Sequence, residues 1–304
     1  MSADIVAPAR DRSALTLISA GILWGTGGLS GSILAREAHL SPLSVAAYRL
    51  LIGGGLAIAL LAFSGGLRGL PRTRAAAGRI LLTGGLLGSF QGSYFLAVQY
   101  ISVSIATMAT IGTLPVFVAL GGMTRTRRRP DTATLAAIAA AVTGLILLTW
   151  SPDGVTTGWR LAAGICFALL AAAGFATLTL LTARTIEGLD PLRTTAFGML
   201  TGGLLLTPIA LASGMALPLR PAPLATAAYL GTVPTVVAYT AYFRGLRTAA
   251  PIFAAIAALL EPLTAALLSV FVLGERLSSA GWCGAALLIV ALGVSSRRQP
   301  KTTR

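Results

Sequence analysis

Apolar runs of about twenty residues, each closed by a short polar segment, recur ten times along the chain. They fall at 14–35, 42–63, 79–99, 102–123, 132–150, 159–183, 191–212, 222–243, 250–273 and 279–296. A helix of about 20 apolar residues crosses the ~30 Å of hydrocarbon in a bilayer. None of the runs alternates apolar and polar positions as a barrel strand does, and backbone groups in lipid must be bonded internally, so ten transmembrane helices are expected. The third run is the weakest, because Gln91 and Gln99 interrupt it. The first is too long for the core of a cleavable signal and reads as a retained helix.

Composition agrees with that pattern. Of 304 residues, 55% are hydrophobic and 11% charged, with mean hydropathy +0.83. A soluble chain carries roughly 25% charged residues. The 35 glycines suit helices packed backbone to backbone. Cys166 and Cys283 lie inside apolar runs and read as small core residues, not as a disulfide framework.

The net charge of +14 changes the picture only through its distribution. Arg36, Arg160, Arg220 and Arg276 fall on one side of the ten-span arrangement and Arg49 within a span, while the other 18 of the 23 basic residues fall on the opposite side. Cytoplasmic loops carry the excess of Lys and Arg, so both termini are expected in the cytoplasm and the chain in the plasma (inner) membrane. No basic stretch is interleaved with aromatic residues, which argues against a nucleic-acid partner.

The two halves of the chain resemble each other. The stretch from Ser41-Pro42-Leu43 to Ser64-Gly65 aligns without gaps to Asp190-Pro191-Leu192 through Ser213-Gly214. Pro42 falls on Pro191, Gly53-Gly54 on Gly202-Gly203, and Gly25 on Gly174. Tyr94-Phe95 and Pro115 fall near Tyr242-Phe243 and Pro262 after small shifts. This divides the chain into 1–151 and 152–304, five spans each. An odd number of spans turns the second copy upside down, so an all-α integral membrane protein of two inverted-topology five-helix repeats is expected. That architecture recurs among secondary transporters, whose sites lie near the midplane between repeats.

Several short motifs carry a family resemblance. They are Leu23-Trp24-Gly25-Thr26 in the first span, Tyr48-Arg49-Leu50 in the second, and Tyr94-Phe95 through Pro115-Val116-Phe117 across the third and fourth. The clearest is Leu260-Glu261-Pro262-Leu263 followed by Leu273-Gly274-Glu275-Arg276-Leu277. On these the chain resembles the drug/metabolite transporter superfamily, in particular its ten-helix EamA-type exporters, and is closest to exporters of amino acids, aromatic ones included. The segment from Arg125 to Pro130 departs from the usual Gly-Glu sequence of the first repeat. The resemblance implies alternating access around a central cavity, with helices five and ten peripheral.

Few polar groups lie at membrane depth. Glu261 is expected to be protonated, paired or in a wet cavity, serving either a substrate amine or proton, or a helix break. Pro115 and Pro262 each remove a helical N–H and are candidate hinges, while Pro208 and Pro234 add kinks. Arg49 could snorkel, pair with a carboxylate or meet a substrate carboxylate; structural pairing is favoured. Gln91, Tyr94 and Val98 share one helical face, as do Tyr239 and Tyr242; Trp24 and Ser30 lie on the first helix, Phe175 and Thr179 on the sixth. With the resembled family's arrangement, Trp24, Gln91, Tyr94, Tyr239, Tyr242 and Glu261 are expected to line the cavity. Tyr48, Tyr100, Trp150 and Trp282 fit an interfacial belt.

A single histidine, His39, and the lack of a metal cluster, Walker loop or Gly-x-Ser-x-Gly sequence leave no expected cofactor, metal site or enzyme activity. An intramembrane enzyme would need paired acids, and a channel would need polar stripes on several helices. A multidrug or nucleotide-sugar carrier is the alternative cargo class. The expected partners are a small-molecule substrate, amino acid or related metabolite, and the lipid bilayer. Proton coupling and facilitated diffusion both fit, and the sequence specifies no oligomeric partner.

Overall fold

The structure of the chain, a computed structural model, describes residues 7–127, 129–149, 158–184, 186–273 and 276–297. Ten helices are long and apolar enough to cross a membrane. They are α1 (Ala7–Ala38), α2 (Pro42–Phe63), α3 (Arg74–Tyr100), α4 (Val103–Thr126), α5 (Thr132–Thr149), α6 (Trp159–Thr182), α7 (Pro191–Ala212), α8 (Pro221–Gly245), α9 (Pro251–Val272) and α10 (Ser279–Arg297). Among the described residues there is no strand beyond one isolated bridge between Ile186 and Leu189. Trp150, the Gly274-Glu275 pair and the terminal Lys301 and Arg304 lie outside the described residues.

Local chemistry sets where the helices begin. The side chains of Ser41, Thr73, Ser102 and Asp190 accept the backbone N–H three residues on, from Ser44, Ala76, Ile105 and Arg193. Each is an N-cap bond that satisfies one of the free donors of the first turn. Prolines stand at the starts of α2, α7, α8 and α9, where a missing N–H has no consequence. The weak third run becomes a full 27-residue helix, because Thr73 caps it and Gln91 is buried. α4 continues past its expected end to Thr126, where Arg127 takes a left-handed conformation at φ 54°.

Two helices are irregular at depth. α8 passes Pro234 through a π turn at Thr232–Val237. α9 is interrupted between Ala257 and Leu260. There Glu261 N–H bonds the carbonyl of Ala258, three residues back, in place of that of Ala257. Pro262 has no N–H for Ala258, so the shift uses the carbonyl that proline frees. Pro115, its expected counterpart, lies inside an unbroken α4.

Glycines let the helices meet at their backbones. A Cβ built on Gly54 of α2 would lie 2.5 Å from the Leu200 nitrogen of α7, and one on Gly203 would lie 3.0 Å from the Leu51 nitrogen. The two contacts are related by the 149-residue offset of the sequence repeat. At their ends the same helices are tied crosswise. Ser44 Oγ, near the start of α2, donates to Gly214 and Ala210 carbonyls at the end of α7. Arg193, near the start of α7, donates to the Gly66 carbonyl just after α2 at 2.7 Å. The two helices therefore run antiparallel. α5 and α10 form a second reciprocal pair. A Cβ on Gly144 would lie 2.8 Å from the Gly284 oxygen, and one on Gly284 2.4 Å from the Gly144 oxygen.

The outward faces are apolar: Leu60, Leu81, Leu204, Leu211, Phe271 and Ile289 are all exposed. Cys166 and Cys283 are exposed too, which corrects their expected place in the core. Lipid-facing surfaces are as apolar as the interior, so an apolar run does not separate inside from outside.

Candidate functional site

The core of the molecule holds a cluster of rings. Trp24 of α1 packs against Tyr239 and Tyr242 of α8, each at 4.9 Å between ring centroids, and against Phe175 of α6 at 5.7 Å. Phe175 stacks on Phe90 of α3 at 4.9 Å. Such pairs are worth ~0.5–1.5 kcal/mol each beyond the area they bury, so the cluster fixes the positions of its members.

A cavity of about 60 Å³ opens beside these rings, lined by Trp24, Arg49, Phe90, Gln91, Tyr94, Phe95, Thr107, Ile111, Phe175, Tyr239 and Glu261. These residues come from α1, α2, α3, α4, α6, α8 and α9; α5 and α10 do not reach it. Trp24, Gln91, Tyr94, Tyr239 and Glu261, expected on the wall, are all there. Tyr242 is not. It is fully buried one helical turn beyond Tyr239, and its hydroxyl shares a 2.8 Å hydrogen bond with Thr179. Residues i and i+3 share a helical face only approximately, and here the second ring packs behind the first.

The backbone irregularities put the charged groups in place. Glu261 sits at the break in α9. Gly21 and Gly25 of α1 allow the close approach: a Cβ on Gly21 would lie 2.4 Å from the Ala257 oxygen, and one on Gly25 2.7 Å from the Glu261 oxygen. The Trp24-Gly25 pair thus has two functions, a ring for the cavity wall and a space for the neighbouring backbone. Arg49 reaches across to the π turn of α8, where Nε donates to Thr235 Oγ1 at 3.3 Å and Nη2 to the Pro234 carbonyl at 3.5 Å. Thr235 Oγ1 in turn donates to the Leu230 carbonyl at 2.6 Å. Arg49 therefore pairs with uncharged groups. Among the described residues no ion pair joins it to Glu261, although both line the same cavity.

Two donors of the wall lack a protein acceptor. Trp24 Nε1 and Gln91 Nε2 are buried and unbonded, in residues only 4% and 3% exposed. Tyr94, by contrast, shares a 2.8 Å hydrogen bond with Thr107. Among the described residues there is no cluster of three or more potential metal ligands.

Thr107, Phe90 and Ile111 do not stand out in the sequence, and Phe95 does so only within the Tyr94-Phe95 motif. Thr107 and Ile111 stand at i and i+4 on α4, one face of the helix, and that spacing was the available signal. Val98 and Ser30 do not line the cavity. Val98 packs in a separate apolar cluster with Tyr100, and Ser30 bonds back to the Thr26 carbonyl at 2.9 Å. Of the residues expected in a belt, Tyr100 stacks on Phe167 at 5.9 Å, Trp282 is exposed, and Tyr48 accepts the Leu217 N–H at 3.2 Å.

Beyond Tyr242 lies a wider pocket of about 600 Å³ between the ends of α4, α6, α8 and α9. Its walls include Val118, Leu180, Leu246 and Ile252, and Arg125, Arg129, Arg184 and Arg247 also line it. Between the cavity and this pocket stand Leu114, Thr179, Tyr242 and Phe253, all fully buried.

Comparison with known proteins agrees with this architecture. The chain is 32% identical over 291 residues to the uncharacterized transporter YwfM of Bacillus subtilis, covering 95% of each chain. It is 25% identical over 295 residues to the uncharacterized inner membrane transporter YicL of Salmonella typhimurium, covering 94% of this chain and 97% of that one. A solved crystal structure superposes with a TM-score of 0.78 at 19% identity, over 93% of this chain and 97% of the other, a likeness of fold. Residues 12–150 and 162–297 match the EamA-like transporter family, and the chain, a multi-pass membrane protein, belongs to that family.

Proposed function

We propose that this transporter exports small metabolites, amino acids foremost, by alternating access around the cavity between its two halves. The observation that carries the reading is one buried cavity at membrane depth, walled by both halves of the chain, with Arg49 from the first and Glu261 from the second. Ionisable groups in a membrane interior are expensive and mark substrate or ion pathways.

Two five-helix repeats, 1–151 and 152–304, inverted with respect to each other, supply the mechanism. The family match in two stretches supports this, as do the reciprocal contacts of Gly54 with Leu200 and Gly203 with Leu51. Exchange of conformations between equivalent halves opens one side and then the other. The break in α9 before Pro262 is the first hinge of that exchange, and Pro115 in α4 the second. The arginine excess on one side supports cytoplasmic termini in an inner membrane. The reading includes no enzymatic step. Coupling is either to protons through Glu261 or absent.

The wall favours amino acids over nucleotide sugars. A phosphate cargo calls for several basic groups at depth, and Arg49 is the single one on this wall. Counterflow in proteoliposomes with a panel of radiolabelled amino acids, with and without a pH gradient, tests the proposal. Accumulation of at least one amino acid is expected. The absence of counterflow with any of them defeats the substrate assignment, and a response to the gradient separates proton coupling from facilitated diffusion.

A further inference from the structure

The run of arginines after α4 has no part in the central cavity. Arg125-Thr126-Arg127-Arg128-Arg129-Pro130 stands where the resembled family has its usual Gly-Glu sequence. Arg127 ends α4 in a left-handed conformation, with its N–H on the Met123 carbonyl at 2.8 Å. The chain turns there, and Arg125 before the turn and Arg129 after it line the same pocket. Arg184, just past α6, and Arg247, just past α8, line it too. Four guanidiniums from three separate segments therefore converge on one space of about 600 Å³.

Two ordinary explanations account for only part of this charge. Basic residues favour helix C-termini, and α4, α6 and α8 all end here. A helix end carries roughly half an elementary charge, so three C-termini offset about 1.5 of the four charges. The N-termini of α5 and α9, which reach the lining through Thr134 and Pro251, cancel about 1 of that. The excess of arginine on one side places charge on this face, but it does not gather that charge into one pocket. Acidic side chains do not make up the difference, since none lines this space. Glu187 and Asp190 line the neighbouring pocket, which shares Arg184 and Arg247, and there Asp190 pairs with Arg193 at 3.5 Å. Among the described residues no ion pair holds Arg125, Arg129, Arg184 or Arg247.

The deeper wall is apolar. Val118 and Leu180 lie seven and four residues further into α4 and α6 than Arg125 and Arg184, and Leu246 and Ile252 complete it. We propose that this pocket binds a phosphate group carried on an apolar body, of the kind an acidic phospholipid supplies. Guanidiniums take phosphate oxygens through paired N–H donors, and basic pockets between transmembrane helices suit acidic headgroups. The site is separate from the cavity of Arg49 and Glu261 and does not depend on what that cavity carries.

The test uses the purified full chain, stripped of lipid in detergent. It is titrated with dioleoyl phosphatidylglycerol, dioleoyl phosphatidylcholine and inorganic phosphate, with binding read by thermal unfolding and by native mass spectrometry. Phosphatidylglycerol is expected to bind at least about ten-fold more tightly than phosphatidylcholine, and the double variant R125Q/R129Q to lose about that factor. R184Q/R247Q should weaken it similarly, which keeps the test open if the first pair fails to fold. R68Q/R72Q removes two exposed arginines that line neither pocket and should leave the affinity unchanged. Inorganic phosphate bound with the same dependence on the pocket arginines supports the site and assigns it to a soluble ester. Tight phosphatidylglycerol without phosphate binding assigns it to the bilayer. Equal binding of the two lipids, an affinity unaltered in either folded pocket variant, or an equal loss in R68Q/R72Q overturns the proposal.

Discussion

The Tyr242 phenol and the Thr179 hydroxyl, 2.8 Å apart and fully buried, join α8 to α6 between two separate cavities. On one side is the cavity of Arg49 and Glu261, on the other the pocket with four arginines in its lining. Tyr242 stands between them, with its ring packed on Trp24 and Phe175 and its hydroxyl bonded to Thr179.

Removing that bond should loosen the partition. Tyr242→Phe keeps the ring and its packing on Trp24 but deletes the hydroxyl, and Thr179→Val removes the partner. Each should lower stability by about 0.5–1.5 kcal/mol, the usual range for one such bond. The double variant should lose less than the two single losses together, because the bond disappears once. Thermal unfolding checks the cycle. A cysteine placed at Ile111 should also react faster with an impermeant thiol reagent supplied from the arginine side when Tyr242 is Phe.

Gly25 and Gly28 give a matched pair on one helix. A Cβ at Gly25 would lie 2.4 Å from the Thr264 Cβ and 2.7 Å from the Glu261 oxygen, while one at Gly28 meets nothing within 4 Å. Gly25→Ala should therefore destabilise by ~1–3 kcal/mol, the cost of overpacking. Gly28→Ala should be neutral or stabilising by up to ~1 kcal/mol, as Ala is the better helix former. Melting temperatures of the two variants in one detergent compare them directly.

Glu261→Gln keeps the shape of the wall and removes its carboxyl. Transport should fall at unchanged protein level in the membrane. The pH dependence of the remaining rate should flatten if Glu261 carries a proton during the cycle. Uptake into proteoliposomes across a series of pH values measures both, and an unaltered profile at full rate would exclude a role for the carboxyl.

Cys166 and Cys283 face outward from α6 and α10. Both should react with a membrane-permeant maleimide in intact membranes and resist a charged, impermeant one. Replacing both with Ser should leave transport intact, since neither lines the cavity. Mass spectrometry of labelled peptides reads the first outcome and counterflow the second.

The ten helices were legible because spacing between apolar runs depends only on bilayer thickness. Much of the cavity wall was legible for a related reason: Glu261, Gln91 and Trp24 are polar or amphipathic where lipid tolerates neither, so they had to face inward. The irregular backbone was less legible. Pro115 and Pro262 occupy similar places in sequence, yet α4 continues and α9 breaks; at the break Gly21 lets α1 lie against the Ala257 carbonyl, which the Glu261 N–H has left, and nothing in the sequence of α9 reports that neighbour. Arg49 stood out as a charge, but its partners, a π-turn carbonyl and a threonine hydroxyl 185 and 186 residues away, follow from packing alone. The same holds for Tyr242, which differs from Tyr239 only in what stands behind it.

The seam between α2 and α7 has a mechanical consequence. At its midpoint Gly54 and Gly203 each lie against the other helix's backbone, with Leu200 and Leu51 seated over them. A surface of that kind holds the two axes close: any side chain larger than hydrogen at either glycine would have to push the opposite helix away. The clasps are at the rims, Ser44 to Gly214 at one end and Arg193 to Gly66 at the other. Because each clasp joins one half of the chain to the other, drawing the halves apart along this seam would break both clasps.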